Sequence, residues 1–79
     1  MKVLVFGPIA DALGAPMCEI FVRLPATVEQ VTHALVAQMP GMDNLLLRSV
    51  VAVNQVYAGK ERLILEGDEV ALIPPVSGG

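Results

Sequence analysis

Thr27-Val28-Glu29-Gln30 carries the S/T-x-x-E/Q pattern of a helix start, in which the hydroxyl accepts from the third helical N–H and the glutamine reaches back. Val28, Val31, Leu35 and Met39 follow at helical spacing, and Val36 widens the stripe. Pro40-Gly41 ends it, because proline disfavours the α conformation in the residue before it. The spacing predicts one helix of about three turns. In 79 residues there is room for one small domain, 1–79, and a lone helix of this length covers only one face of a sheet.

The segments on either side read as strands. Val3 to Phe6 is a β-rich run closed by Gly7-Pro8, and Ile9 to Pro16, broken by Gly14 and Pro16, reads as a connecting turn. Cys18 to Leu24 alternates, with Cys18, Ile20, Val22 and Leu24 on one side and Glu19, Phe21 and Arg23 on the other, which is the pattern of a half-buried strand. The first two strands fit a hairpin. Beyond the helix, Leu45-Leu46-Leu47 is expected to form a helical turn at the core edge. Val50 to Asn54 reads as the third strand and Val56-Tyr57 as part of the next, followed by a charged turn at Lys60-Glu61-Arg62. Glu66-Gly67-Asp68 is a turn, and Glu69 to Ile73 is the last strand, stopped by Pro74-Pro75. The order ββαβ(β)β describes an α+β fold, a mixed sheet packed on one main helix. The first and last strands are expected to be parallel neighbours, with the helix in the crossover between them.

Composition excludes several functions. Hydrophobic residues make up 54% of the chain and charged residues 16%, which is incompatible with a disordered segment. The formal net charge is −3, and Lys2, Arg23, Arg48, Lys60 and Arg62 are scattered, so neither nucleic acid nor an anionic membrane surface is expected as a partner. The longest charge-free stretch, Gln30 to Met42, falls short of the roughly 20 apolar residues that span a bilayer. No secretory signal is read at the start of the chain. With Cys18 alone there is no internal disulfide, and a reducing, cytoplasmic setting is expected.

Candidate chemistry inside the domain is sparse. His33 lies opposite the Val31-Leu35 stripe without a second ligand at metal spacing, and reads as a solvated histidine. Cys18 has inward parity and reads as a small buried hydrophobe. Glu66, Asp68 and Glu69 are turn chemistry rather than a cation site, and no metal is expected. Parity places Leu4, Phe6, Ala71 and Ile73 on the face away from the helix, with Val50, Ala52 and Asn54 beside them and Tyr57 nearby. An uncovered face normally alternates to polar residues. Phe6, Ile73 and Tyr57 therefore imply either a protein partner or a covering loop, and parity does not choose between them.

The last six residues, Pro74-Pro75-Val76-Ser77-Gly78-Gly79, carry the strongest motif. The prolines forbid further sheet bonding and stiffen the exit from the strand. Val76 to Gly79 can then reach about 13 Å as an extended arm, at roughly 3.3 Å per residue. Glycines at its tip have no Cβ and fit a narrow channel. A frayed end has the same composition, so the motif acquires meaning only with its surroundings.

Those surroundings are Val53-Asn54-Gln55, Leu65-Glu66-Gly67-Asp68-Glu69-Val70-Ala71 and the Pro74-to-Gly79 block, together with Lys2-Val3-Leu4 and the Thr27-Val28-Glu29 helix start. Over its whole length the chain resembles the small, sulfur-carrying subunit of molybdopterin synthase. It departs from many relatives early on, where an aromatic-Ala pair and then Arg-Glu are replaced by Phe6-Gly7 and Ala10-Asp11. The resemblance implies the ubiquitin-like β-grasp fold. It also implies a carrier that is not an enzyme alone: the Gly79 carboxylate becomes an acyl-adenylate, then a thiocarboxylate whose sulfur goes to a pterin precursor. Gly78 and Ser77 would give access to the tip, while Phe6, Tyr57, Ile73, Pro75 and Val76 would meet partners. The partners implied are the large catalytic subunit, an E1-like adenylating enzyme and a sulfur donor. No cofactor would be bound, ATP being consumed by the adenylating enzyme. Two alternatives use the same residues, a sulfur carrier for thiamine or thio-amino-acid synthesis and a ubiquitin-like interaction or conjugation module.

Overall fold

The fold is taken from a computed structural model that describes residues 1–75. The expectations for Val76, Ser77, Gly78 and Gly79 lie outside the described residues.

Its central element is the expected helix, α2 (Val28–Gln38), with both halves of the capping box formed. Gln30 N–H donates to the Thr27 hydroxyl at 3.2 Å, and Thr27 N–H donates to Gln30 Oε1 at 2.8 Å. Two further N–H groups at this end are satisfied from a distant turn. Val28 N–H donates to Arg62 O at 2.9 Å and Glu29 N–H to Lys60 O at 3.0 Å. The charged turn at 60–62 thus has a structural task, carried by its carbonyls while its side chains stay exposed.

The other elements are β1 (Lys2–Val5), α1 (Gly7–Leu13), β2 (Met17–Glu19), β3 (Ala26–Thr27), α3 (Asp43–Leu47), β4 (Val50–Val53), β5 (Val56–Ala58), β6 (Leu63–Ile64) and β7 (Val70–Ile73). Five strands form one sheet in the order β2-β1-β7-β4-β5. As expected, β1 and β7 are parallel neighbours, Val3 opposite Val70 and Val5 opposite Leu72, and the other pairs are antiparallel. One face of this sheet meets α2. Val3, Val5, Val51, Val53, Val70 and Leu72 share a buried core with Val28, Val31 and Leu35. Ile9, Ile20, Leu46 and Ile64 close its sides.

Three expectations are corrected. The segment Ile9 to Pro16 is not a connecting turn, because Gly7 to Leu13 forms α1. Pro8 sits in the first turn, where its missing N–H costs nothing, Ile9 is fully buried, and Gly14 ends the helix with φ 71°. The Gly and Pro residues mark where this helix starts and stops. The second strand stops at Glu19 instead of running to Leu24, because β1 starts at Lys2 and offers it nothing further to pair with. Ile20 N–H meets Met1 O at 2.9 Å, and beyond it the Gln38 carboxamide takes over. It accepts from Phe21 N–H at 2.8 Å and donates to Phe21 O at 2.7 Å, as a neighbouring strand would. The inward parity persists, with Ile20 buried and Val22 and Leu24 packed on the core. Lastly, β3 and β6 pair as a separate two-stranded sheet that the expected element order lacks.

Candidate functional site

Among the described residues nothing covers the apolar sheet face turned away from α2, and the strand register arranges it in rows. One row crosses all five strands as Met17, Leu4, Ala71, Ala52 and Tyr57, each opposite the next. A second row includes Ile73 opposite Val50, and Phe6, the residue after β1, lines the same depression as Ile73. The alternatives for this face are a protein partner and a covering loop, and among the described residues no loop covers it. Phe6 is 48% exposed, Tyr57 73% and Val50 45%.

Along the first row the side chains run large, large, small, small, large. Ala71 and Ala52 have little exposure yet lie outside the core cluster, because they form the floor of a concavity between taller neighbours. Leu4, Phe6, Tyr57 and Ile73 are its apolar walls, Gln55 and Glu69 add polar groups, and the half-open space above the floor is about 450 Å³. Phe6, Tyr57 and Ile73, expected to act together, are together here. Pro75 is half-buried after the end of β7 and is not part of this lining. Pro74 packs close to Gly7, where a Cβ would stand 3.2 Å from Pro74 Cγ.

Sequence reasoning missed Gln55 and the way Glu69 is held. Asn54 and Gln55 take positive φ, 52° and 68°, in the two-residue link between β4 and β5. Asn54 then grips the strand entering the face. Its N–H donates to Glu69 O at 2.7 Å, its Oδ1 accepts from Glu69 N–H at 2.9 Å, and its Nδ2 donates to Asp68 Oδ1 at 3.0 Å. Asp68 also accepts from Leu65 N–H at 2.8 Å. The Leu65 N–H first, then the Asn54 amide, hold the Asp68 carboxyl below the usual range. Asp68 is therefore a turn brace, as its sequence context suggested.

The other polar groups support structure. His33 is exposed and, with Lys60, lines a second groove of about 360 Å³ between α2 and strands β4 and β5. The two hydroxyls there already donate to main-chain carbonyls, Thr32 to Val28 O at 2.9 Å and Ser49 to Leu45 O at 2.8 Å. Cys18 is half-buried, and burial, then the Glu19 charge, push its thiol up, away from the reactive thiolate. Glu19 is held below the usual carboxylate range chiefly by its hydrogen bond with the Met1 ammonium, 2.8 Å away. Among the described residues no group of three His, Cys, Asp or Glu is placed to hold a metal ion, and no helix is long and apolar enough to cross a membrane.

Comparison with known proteins gives the face a context. The ThiS family matches residues 3–79. The molybdopterin synthase sulfur carrier subunit of Escherichia coli is 33% identical over 81 residues, covering 100% of this chain and 99% of that one. The crystal structure of SAMP1 from Haloferax volcanii, a small archaeal modifier protein, superposes with a TM-score of 0.79 at 32% identity, covering 100% of this chain and 98% of that one. Subunits 1 and 2 of the molybdopterin-converting factor from Helicobacter pylori were solved as a complex. One chain of it shares this fold, with a TM-score of 0.66 at 24% identity, covering 99% of this chain and 96% of that one.

Proposed function

Because the chain belongs to the ThiS family, among the molybdopterin synthase sulfur carrier subunits with their ubiquitin-like β-grasp fold, we propose that it carries sulfur on its C-terminal glycine as the small subunit of molybdopterin synthase. One observation carries the reading: the family match extends through Gly78-Gly79, so that it takes in both the terminal glycines and the residues of the apolar face.

The chemistry follows from the carboxylate, a poor electrophile. A Gly79 oxygen attacks the α-phosphate of ATP in the active site of an E1-like enzyme, pyrophosphate leaves, and the carbonyl carbon becomes an acyl-adenylate. Sulfide delivered by the sulfur donor adds to that carbon and AMP departs with the bonding pair, leaving a thiocarboxylate. The large synthase subunit then receives the arm, and its own groups direct the sulfur to the pterin precursor while water restores the carboxylate. The general acids and bases belong to the partners. This chain contributes a side-chain-free tip at Gly78 and Gly79, the small Ser77 before it, Val76 and Pro75 at the channel mouth, and a docking face of Phe6, Tyr57 and Ile73. It binds no cofactor of its own, and the setting is the cytoplasm.

The test is intact mass after incubation with ATP, an E1-like adenylating enzyme and a sulfur donor. Exchange of one oxygen for sulfur at Gly79 is expected, and it should vanish when one residue is appended after Gly79. No exchange in the unmodified chain refutes the proposal. The likeness to SAMP1 supports a second reading, in which the same activated glycine is joined to lysines as a modifier. A mixture of acceptor proteins gaining isopeptide-linked copies of this chain would favour it.

A further inference from the structure

The docking reading names a face but not what the face selects. The concavity on it has a definite shape, with a floor of two alanines, Ala52 and Ala71, between walls of Leu4, Phe6, Tyr57 and Ile73. Two methyl groups side by side in the middle of a sheet leave a low floor between taller neighbours, where a Leu or Phe at either position would fill the space from within. The polar rim is equally specific. Glu69 borders the concavity with Gln55, and the Glu69 main chain is gripped on both sides by Asn54, N–H and C=O alike. Among the described residues the one ion pair is Met1 with Glu19, so Glu69 has no cationic partner. Lys2, the basic residue on the same face, contributes to the field at Glu19.

We infer that this concavity is a socket for one bulky apolar side chain of the partner protein, and that Glu69 receives an arginine or lysine carried beside that side chain. The inference rests on the sulfur-carrier reading and deepens it by stating what the large subunit presents. An apolar knob seated on Ala52 and Ala71 is desolvated on all sides, the condition under which a single side chain dominates an interface. A cation meeting Glu69 at the edge of that contact gives orientation and a salt-sensitive approach. Asn54 acts as a positioning residue, since its two hydrogen bonds fix the backbone from which Glu69 projects.

A second copy of this chain fits the face less well. Five strands spaced by about 4.8 Å and two apolar rows give a patch of roughly 300 Å², far short of the ~800 Å² per partner in a stable complex. A partner that also takes the arm adds contact that a second copy docked face to face does not.

The test measures the affinity of the full-length chain for the large synthase subunit at low and at physiological salt. The variants are Glu69→Gln, Glu69→Lys, Ala71→Met and Ala52→Met, with Lys60→Ala in the other groove as a control. Thermal melts identify any variant that does not fold. The two methionine variants back each other up, and Glu69 is exposed, so its replacements leave the core intact. Expected are losses of about tenfold or more for Glu69→Lys and for a folded methionine variant, with Lys60→Ala unchanged. The salt dependence should flatten in Glu69→Gln, because a rim charge has been removed. If wild type binds and every folded variant binds within about twofold of it, the socket is refuted while the sulfur-carrier reading stands. If the folded methionine variants bind as wild type while Glu69→Lys loses affinity and Glu69→Gln flattens the salt dependence, the apolar half is refuted. If wild type itself fails to bind, while the mass assay shows no thiocarboxylate, both readings fall.

Discussion

Gly7 offers the sharpest test of how the arm's base is held. Its φ is +55°, and a Cβ added there would stand 3.2 Å from Pro74 Cγ, at the point where the chain leaves β7. Two terms oppose each other in Gly7→Ala. An L-residue in the left-handed region costs roughly 1–2 kcal/mol. The less flexible unfolded chain returns about 0.4–1 kcal/mol. The net is a loss of about 1 kcal/mol, which in a domain of this size lowers Tm by roughly 4–8 °C. The Pro74 contact adds to this only if the ring cannot yield by a few tenths of an ångström. Gly7→Asn separates the terms, because asparagine tolerates positive φ and still carries the Cβ. The expected order of melting temperatures is wild type, then Asn, then Ala. A cycle with Pro74→Ala isolates the steric part as the coupling between the two sites. Circular dichroism melts at neutral pH suffice. An alanine variant that melts at or above wild type would refute the reasoning, since the backbone would then not be committed to the left-handed conformation.

Two further outcomes follow from local chemistry. Thr27→Ala removes the acceptor for Gln30 N–H and should cost about 1 kcal/mol, read as a drop in urea midpoint, while Thr27→Gly should cost only a few tenths. Asp68 has a lowered pKa in the folded state, so its contribution is present above the unfolded-chain value, about 3.9, and is lost as pH falls through the lower folded value. Urea melts taken down this acid range should show a smaller loss of stability in Asp68→Asn than in wild type, and parallel curves for the two proteins would contradict the assignment.

What was legible in the sequence is what depends on near neighbours. The capping box is a four-residue device, and α2 followed from it and from the Val28-Val31-Leu35 stripe. The parallel pairing of β1 with β7 followed from a connection rule, and the outer face from parity along strands that are straight and paired. The misreadings share a cause. In α1 only Ile9 is fully buried, so seven residues show no period, and Gly7-Pro8 and Gly14 look like breaks when they are ends. The two-residue strands β3 and β6 have no alternation to detect. The length of β2 is set by where β1 begins and by Gln38, seventeen residues beyond Phe21. Glu69 likewise owes its fixed place to Asn54, fifteen residues earlier, through bonds with no local signature.

The same strand joins the two halves of the proposed mechanism. β7 is bonded on both sides, parallel to β1 and antiparallel to β4, and buries Val70 and Leu72 toward the helix. Its alternate residues, Ala71 and Ile73, face the concavity. Pro74-Pro75 then ends the ladder, since neither proline has an N–H to continue it. A strand held on both edges is among the last parts of such a domain to open. A partner that grips Ala71 and Ile73 therefore also fixes the origin of whatever follows Pro75, a few residues from the grip. Delivery of the terminal carbonyl then becomes an intramolecular event of short tether, for which the effective concentration is on the order of millimolar. Inserting a flexible segment directly after Pro75 should leave docking of the face intact while slowing transfer, as the tether lengthens past the span it must bridge. Equal transfer rates across a series of such insertions, with binding unchanged, would show that the arm is guided by its own contacts and that the position of β7 does not matter.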